Sequence, residues 1–140
     1  EVKRLYEAGD RKTAISLLPA DACKDPTVRP DPGHRTSVTT LARAFGATVN
    51  VGAAWWFNDA PSGMKQHLEY IGEVDLLANF AGMVSDSRKL VSYASRHEMF
   101  RRILGDVVGQ MVERGRIPMP VAERLVTSLA CERTRELFGF

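Results

Sequence analysis

Two uncharged, largely apolar stretches stand out in the sequence: TVNVGAAWWF at residues 48–57 and LLANFAGMV at residues 76–84. Each stretch has the length of a strand. Strands of a parallel sheet that is covered on both faces have this composition, because neither of their faces meets water. We therefore interpret both stretches as buried strands.

Helical patterns surround the two stretches. In each predicted helix, apolar residues recur at intervals of three and four, and a glycine or proline marks an end. Alternation of helix and strand is typical of a parallel α/β sheet with crossover helices. The predicted helices run from Thr36 or Ser37 to Gly46, from Asn58 or Asp59 to Gly72, over His97–Glu113, and from near Pro120 onwards. The residues predicted to be buried are Met64, Leu68 and Ile71 in the second helix, Phe100, Ile103, Leu104, Val107, Val108 and Met111 in the third, and Val121, Leu125, Leu129 and Leu137 in the last.

Two predicted strands are too few to complete a sheet. A two-stranded parallel sheet would have open edges and apolar faces without a partner. The predicted fold class is therefore α/β, with residues 36–140 forming part of a larger sheet or of a (β/α)8 TIM-type barrel. Residues 1–35 form a separate, poorly defined helical and proline-rich segment, because four of the seven prolines lie between residues 19 and 34.

Composition excludes several classes of protein. The 140 residues, 44% hydrophobic and 26% charged, have the makeup of a globular domain rather than of a disordered segment or a coiled coil. A net charge of +2, with Arg and Lys spread along the chain, predicts no nucleic-acid partner. No apolar run approaches the roughly 20 residues of a membrane span. Two isolated cysteines, Cys23 and Cys131, are expected to be reduced, which indicates a cytoplasmic protein.

Candidate site residues lie at the carboxyl end of each predicted strand, where parallel α/β folds bind their ligands. Side chains alternate along a strand, so one of Trp55 and Trp56 can fill the core while the other faces the site. Asp86 could serve as a base or metal ligand, and Arg88 could bind a substrate carboxylate through a bidentate fork. The alternative is structural: the tryptophans pack under the crossover helix, and Asp86 and Arg88 form a local salt bridge or turn cap.

The three histidines do not form a metal-ligand pattern. His34 falls in the proline-rich loop, His67 on a helix face that we expect to be exposed, and His97 at a helix start. Each is interpreted as structural. The sequence contains no glycine-rich phosphate loop, CxxC pair, HExxH or GxSxG motif, so nothing in it supports phosphate chemistry or acyl transfer.

A series of ordered motifs resembles the C-terminal part of the uronate isomerase (glucuronate isomerase) family. The resemblance covers roughly Thr36 to Phe140. The motifs are GAAWWFND at residues 52–59, GM at 63–64 with Gln66, GMVSDSR at 82–88, SY at 92–93, RHE at 96–98 and FRRIL at 100–104. This family belongs to the amidohydrolase superfamily of (β/α)8 barrels, so the resemblance implies that the two predicted strands are the seventh and eighth of such a barrel.

The resemblance also implies roles for the candidate residues. Asp86 matches the aspartate that follows the last strand in the superfamily, and Arg88 matches the family arginine beside it. Trp55 or Trp56 matches a tryptophan of the substrate pocket. No cofactor follows from these residues alone, but the complete site could hold a divalent metal such as zinc, with Asp86 as a candidate ligand.

The family interconverts D-glucuronate with D-fructuronate and D-galacturonate with D-tagaturonate, so the implied partner is a hexuronate substrate. The implied reaction is proton transfer between C1 and C2 through an enediol. The superfamily's His-x-His after the first strand does not occur in these residues, so we expect the isolated chain to be inactive and to need the missing barrel strands or a second copy. The competing hypothesis is a non-catalytic barrel fragment that serves as a binding or assembly module.

Overall fold

A computed structural model of the chain describes residues 39–40, 42–45, 50–52, 60–83, 85 and 87–139. All of these belong to one compact unit, Ser37–Phe140. The helical and proline-rich segment predicted over residues 1–35 lies outside the described residues. Residues 39–40 and 42–45 are helical, in agreement with the predicted first helix. Four further helices follow: α1 (Pro61–Glu73), α2 (Leu90–Glu113), α3 (Met119–Thr127) and α4 (Arg133–Phe138).

Helix α1 carries the predicted apolar stripe. Met64, Leu68 and Ile71 are all buried, as their spacing of four and three residues requires. The helix begins at Pro61, with Ala60 as its N-cap, and not at Asn58 or Asp59 as predicted. Pro61 starts the helix without a side-chain cap because its ring already has a helical φ and its missing N–H needs no partner there.

Arginines from two other parts of the chain reach the C-terminal end of α1. Arg43 donates from Nη1 to the carbonyl of Val74 at 3.4 Å, and Arg116 donates from Nη2 to the carbonyl of Gly72 at 3.2 Å. Cations stabilise the end of a helix where carbonyl groups lack intrahelical partners. Gly72 was predicted to stop this helix, but it lies buried within it, one residue before the end at Glu73.

Helix α2 is longer than the sequence predicted. It begins at Leu90, seven residues before His97, and ends at Glu113 as predicted. Its first turn lacks an apolar stripe, because Leu90 is 84% exposed and Val91 is 92% exposed. Periodicity therefore could not show where it begins. None of the described helices is both long enough and apolar enough to cross a bilayer.

The core lies between α1, α2 and the segment around Phe80. Phe80 is fully buried, with its ring 6.1 Å from the ring of Phe100 and 5.9 Å from that of His67. His67 is only 6% exposed, so the expectation of an exposed face is wrong. The reason is its spacing, since residue 67 lies three after Met64 and four before Ile71, on the buried stripe. The buried apolar residues of α2 are Phe100, Leu104, Val107 and Val108, whereas Ile103 and Met111, predicted on the same face, are half-buried at the edge of the core.

An ion pair joins the surfaces of α1 and α2. Lys65 Nζ and Asp106 Oδ2 lie 2.5 Å apart, and both side chains are exposed. The hydrogen bond between them lowers the pKa of Asp106 and raises that of Lys65. On α2 itself, Arg101 and Arg102 both donate to Glu98, at 2.6 and 2.8 Å.

The two predicted strands meet in a parallel bridge. Val51 pairs with Phe80, and the backbone N–H groups of Val51 and Ala81 donate to the carbonyls of Asn79 and Val51, both at 2.9 Å. The parallel direction agrees with the prediction. The described residues contain no longer strand. The prediction of a strand over 76–84 is wrong apart from the single bridge residue Phe80, because Leu77–Asn79 forms a 3-10 turn and residues 81–83 have no regular structure. Of the strand predicted over 48–57, residues 48–49 and 53–57 lie outside the described residues.

A tight turn at the end of α1 accounts for the 3-10 turn that replaces the start of the predicted strand. Asp75 has a φ of 59° at the end of α1, and the N–H of Leu76 folds back onto the carbonyl of Ile71 at 2.8 Å. Leu76 and Leu77 are buried by this turn rather than by a sheet. An apolar run alone cannot separate the two arrangements.

The last predicted helix begins near Pro120 as expected, but it contains a π-helical turn at Ser128–Glu132 between α3 and α4. Leu129 is buried as predicted, and Leu125 and Leu137 are half-buried. Val121 is 36% exposed, so its predicted burial is wrong, and the neighbouring Ala122 is buried instead. The start of α3 at Met119 turns Ala122 rather than Val121 towards α2.

We expect Phe80→Ala to lower the free energy of unfolding by about 3–5 kcal/mol, because it leaves a cavity at the centre of the core. The matched control is Phe138→Ala, which removes the same atoms from a side chain that is 56% exposed. Urea unfolding followed by circular dichroism measures both. Equal losses in the two variants would contradict the central position of Phe80.

A second stability prediction concerns Gly82, which has a φ of +101°. A Cβ at this position would collide with Thr134 Oγ1 and lie 3.3 Å from Thr134 Cβ. We expect Gly82→Ala to cost about 2 kcal/mol or more in urea unfolding, from backbone strain and steric overlap together. Gly105→Ala is the control: it has open space around it within α2 and should stabilise by about 0.5–1 kcal/mol. Stabilisation by both changes would contradict the described contact.

Candidate functional site

The segments that carry the predicted site residues both leave the parallel bridge. Trp55 and Trp56 follow Val51, and Asp86 and Arg88 follow Phe80. In a parallel pair both segments run in the same direction, so we expect the residues after the bridge to emerge at the same edge. Trp55, Trp56 and Asp86 lie outside the described residues, so their proximity remains a prediction.

Arg88 is the predicted site residue that the structure describes. It is exposed and lies in the bend that precedes α2. The first N–H groups of a helix lack intrahelical acceptors and carry partial positive charge. An exposed guanidinium beside this end of α2 can receive a carboxylate through two parallel hydrogen bonds.

Serine hydroxyls fix the bend that holds Arg88. Ser87 donates from Oγ to the carbonyl of Lys89 at 3.2 Å, and Ser92 donates from Oγ to the same carbonyl at 2.8 Å. The two hydroxyl oxygens also lie within hydrogen-bonding distance of each other, so one of them can donate to the other in place of the carbonyl. The N–H of Ser87 in turn donates to Ser85 Oγ at 3.4 Å. The backbone around Arg88 is therefore tied to the first turn of α2.

Two residues that the sequence analysis missed contact both segments of the bridge. Arg133 Nη2 donates to Asn50 Oδ1 at 2.7 Å, and Thr134 Oγ1 donates to the carbonyl of Ala81 at 3.3 Å. The first contact joins residues that are 83 positions apart in the sequence, and the second joins residues that are 53 positions apart. No short motif could have indicated them, because they depend on how α4 packs.

A metal site is not assembled by the described residues. Among them, no group of three or more His, Cys, Asp and Glu side chains is arranged to hold an ion. His67 packs against Phe80 in the core, and Cys131 is an exposed free thiol. The donor set that zinc would need is therefore not supplied by this part of the chain, and the role of Asp86 as a ligand remains a prediction.

Two surface hollows in the described region lie apart from the predicted site residues in the sequence. One is a polar depression on α2 around Gly105 and Gly109, and the other is a groove between α2 and α3 that contains Val108 and Ala122. Gly105 and Gly109 of α2 line both hollows. Neither hollow is lined by Arg88 or by the residues of the parallel bridge.

Comparison with a family model and with known proteins matches this chain to uronate isomerases in each case. The family model described as glucuronate isomerase matches residues 28–138, which extends the predicted resemblance about eight residues towards the N-terminus. The uronate isomerase of Thermotoga petrophila is 57% identical over 108 residues, which cover 77% of this chain and 24% of that protein. The uronate isomerase of Lactococcus lactis is 44% identical over 94 residues, covering 66% of this chain and 20% of that protein.

A solved structure agrees with these matches. The crystal structure of uronate isomerase from Thermotoga maritima superposes with a TM-score of 0.73 at 55% sequence identity, covering 77% of this chain and 24% of that one. The chain thus spans about a quarter of the length of the relatives that it matches. The match to the family model over most of the chain confirms the resemblance inferred from the motifs: this chain belongs to the glucuronate (uronate) isomerase family.

Proposed function

We propose that this chain is the C-terminal part of a uronate isomerase and contributes one side of its active site. The observation that carries the proposal is the 57% identity over 108 residues to the uronate isomerase of Thermotoga petrophila. That identity extends across 77% of the chain, including its core as well as its motifs. The proposed substrate is a hexuronate.

We propose further that residues 36–140 form the last two β/α units of a (β/α)8 barrel. The support is the order of elements: Val51 pairs in parallel with Phe80, and α1 lies between them in the chain. A parallel connection requires a crossover, and a helix is its usual form. Helix α2 follows the second segment, as the helix of the last unit would.

In the proposed reaction, D-glucuronate is converted to D-fructuronate, or D-galacturonate to D-tagaturonate. A base removes the proton from C2 of the aldose while the C1 carbonyl oxygen gains a proton, which gives the enediol. The hydroxyl on C2 then loses its proton as the base returns its own proton to C1, which leaves a hydroxyl on C1 and a ketone at C2. We assign the base role to Asp86, since a carboxylate can hold the proton between the two steps. The overall change is an isomerisation, and it consumes no external oxidant or reductant.

Arg88 and the tryptophans have the remaining proposed roles. The Arg88 guanidinium binds the uronate carboxylate or stabilises negative charge that develops along the enediol path. Its exposed position in the bend before α2 supports this role, because the fork is available to a ligand. Trp55 or Trp56 supplies an apolar wall against which the sugar packs.

A divalent metal such as zinc could be held in the complete site by the carboxylate oxygen of Asp86 that does not accept the proton. The other ligands have to come from beyond the described residues, which hold no suitable cluster. For the same reason, the site is completed by the other strands of the barrel or by a second copy. No step of the reaction described above is routed through the metal.

The test of this function is turnover by the full-length protein with D-glucuronate, followed by NMR in D2O. We expect the ketose product to carry deuterium at C1 in part of the molecules, because a proton held by Asp86 can exchange with solvent. Asp86→Asn should lower kcat by about 100-fold or more, since a general base contributes 10²–10⁴-fold, while KM changes little.

Asp106→Asn is the matched control for Asp86→Asn. It makes the same chemical change in an exposed carboxylate of α2 that pairs with Lys65. This control should keep its activity. Full turnover by the Asp86→Asn variant would remove Asp86 from the mechanism. Inactivity of the full-length wild-type protein would favour the non-catalytic alternative.

For Arg88→Lys we expect kcat/KM to fall about tenfold or more, which corresponds to the loss of one charge-assisted hydrogen bond. Lysine keeps the charge but loses the planar fork. Arg101→Lys is the control, because Arg101 is an exposed arginine of α2 that pairs with Glu98. Kinetics and thermal midpoints are measured on both variants. A lower midpoint for Arg88→Lys with unchanged kcat/KM would instead support a structural pair with Asp86.

A further inference from the structure

The start of α4 is connected to both segments of the parallel bridge. Arg133 binds the side chain of Asn50, which immediately precedes Val51. Thr134 binds the carbonyl of Ala81, which immediately follows Phe80. Two adjacent residues on one helical turn therefore hold two segments that are remote in the sequence.

Close packing accompanies these hydrogen bonds. Gly82 is buried, and its Cα hydrogens face Thr134, so that even a methyl group there would overlap the threonine hydroxyl. The Arg133 side chain is only 26% exposed. Its Nη1 also lies 4.0 Å from Oε2 of Glu136. Hydrogen bonds at such partly buried positions compete less with water than hydrogen bonds on an exposed surface.

The π-helical turn explains how α4 comes to face the bridge. Ser128–Glu132 lies between α3 and α4 and buries Leu129 in the core. A turn with i→i+5 bonding shifts the helical register, so the residues after it face a different direction from that which α3 would give them. Thr127, at the end of α3, instead bonds the carbonyl of Glu123 within its own helix.

We propose that Arg133 and Thr134 are positioning residues for the isomerase site. Thr134 fixes Ala81 and Gly82, from which the chain runs to Asp86 and Arg88. Arg133 fixes Asn50, from which it runs to Trp55 and Trp56. Neither residue needs to touch substrate. The inference rests on the proposed function, because the residues that they position are those assigned to it.

The test uses the full-length protein with Thr134→Val, which keeps the shape of threonine but removes its hydroxyl. A misplacement of about 1 Å at a reacting group can cost 100-fold, so we expect the partial release of Ala81 to lower kcat by about tenfold. KM should stay within about twofold, since the bend that holds Arg88 stays tied to the first turn of α2 by Ser87 and Ser92. Thr134→Ser should restore most of the loss, because it returns the hydroxyl.

Thr127→Val is the matched control, since it removes the hydroxyl of a threonine that bonds only within the exposed part of α3. It should leave kcat unchanged. Hydrogen–deuterium exchange supplies a readout that does not depend on activity. We expect faster exchange in peptides covering residues 80–88 of Thr134→Val than in those of Thr127→Val.

Asn50→Ala tests the Arg133 contact from the opposite side and serves if Thr134→Val does not fold. It should also lower kcat about tenfold, which would support the positioning role. The proposal would be overturned if Thr134→Val had a lowered thermal midpoint but an unchanged kcat and unchanged hydrogen–deuterium exchange over residues 80–88. A wild-type protein without isomerase activity would refute the proposed function instead, and the exchange comparison would then decide whether Thr134 holds this segment.

Discussion

The parallel contact between Val51 and Phe80 is the constraint on which the rest of the described structure depends. Its two backbone hydrogen bonds, both 2.9 Å, set the direction in which the following residues leave the core. The Phe80 ring lies between His67 of α1 and Phe100 of α2, so the same residue fixes the bridge and the two helices. A change in its position would therefore move the helices and the candidate site segments together.

Regular periodicity made the helical core predictable from sequence. The stripes of Met64, Leu68 and Ile71 on α1 and of Phe100 and Leu104 on α2 are buried as predicted, because helical geometry alone places them on one face. The start of α2 was not predictable, since Leu90 and Val91 are exposed and form no stripe. Likewise, the 3-10 turn at Leu77–Asn79 is as apolar as a strand, and composition cannot separate the two.

The candidate site was predictable to a different extent. Motifs placed Asp86, Arg88, Trp55 and Trp56 after the two bridged segments, and the family that those motifs suggested is confirmed. The contacts of Arg133 and Thr134 could not be predicted, because they join residues 83 and 53 positions apart through tertiary packing. Local sequence gives the chemistry that a side chain can perform, whereas such contacts determine where its backbone is held.

Arg88 shows why both kinds of information matter for function. Its bend is held on one side by the hydroxyls of Ser87 and Ser92 at the first turn of α2, and the chain before it is held by Thr134 at Ala81. The Arg88 side chain itself is exposed. A guanidinium discriminates a carboxylate by direction as well as by charge, and it does so best when its backbone is fixed before the ligand arrives. Fixed backbone and free side chain are therefore complementary requirements, and they are met by different residues.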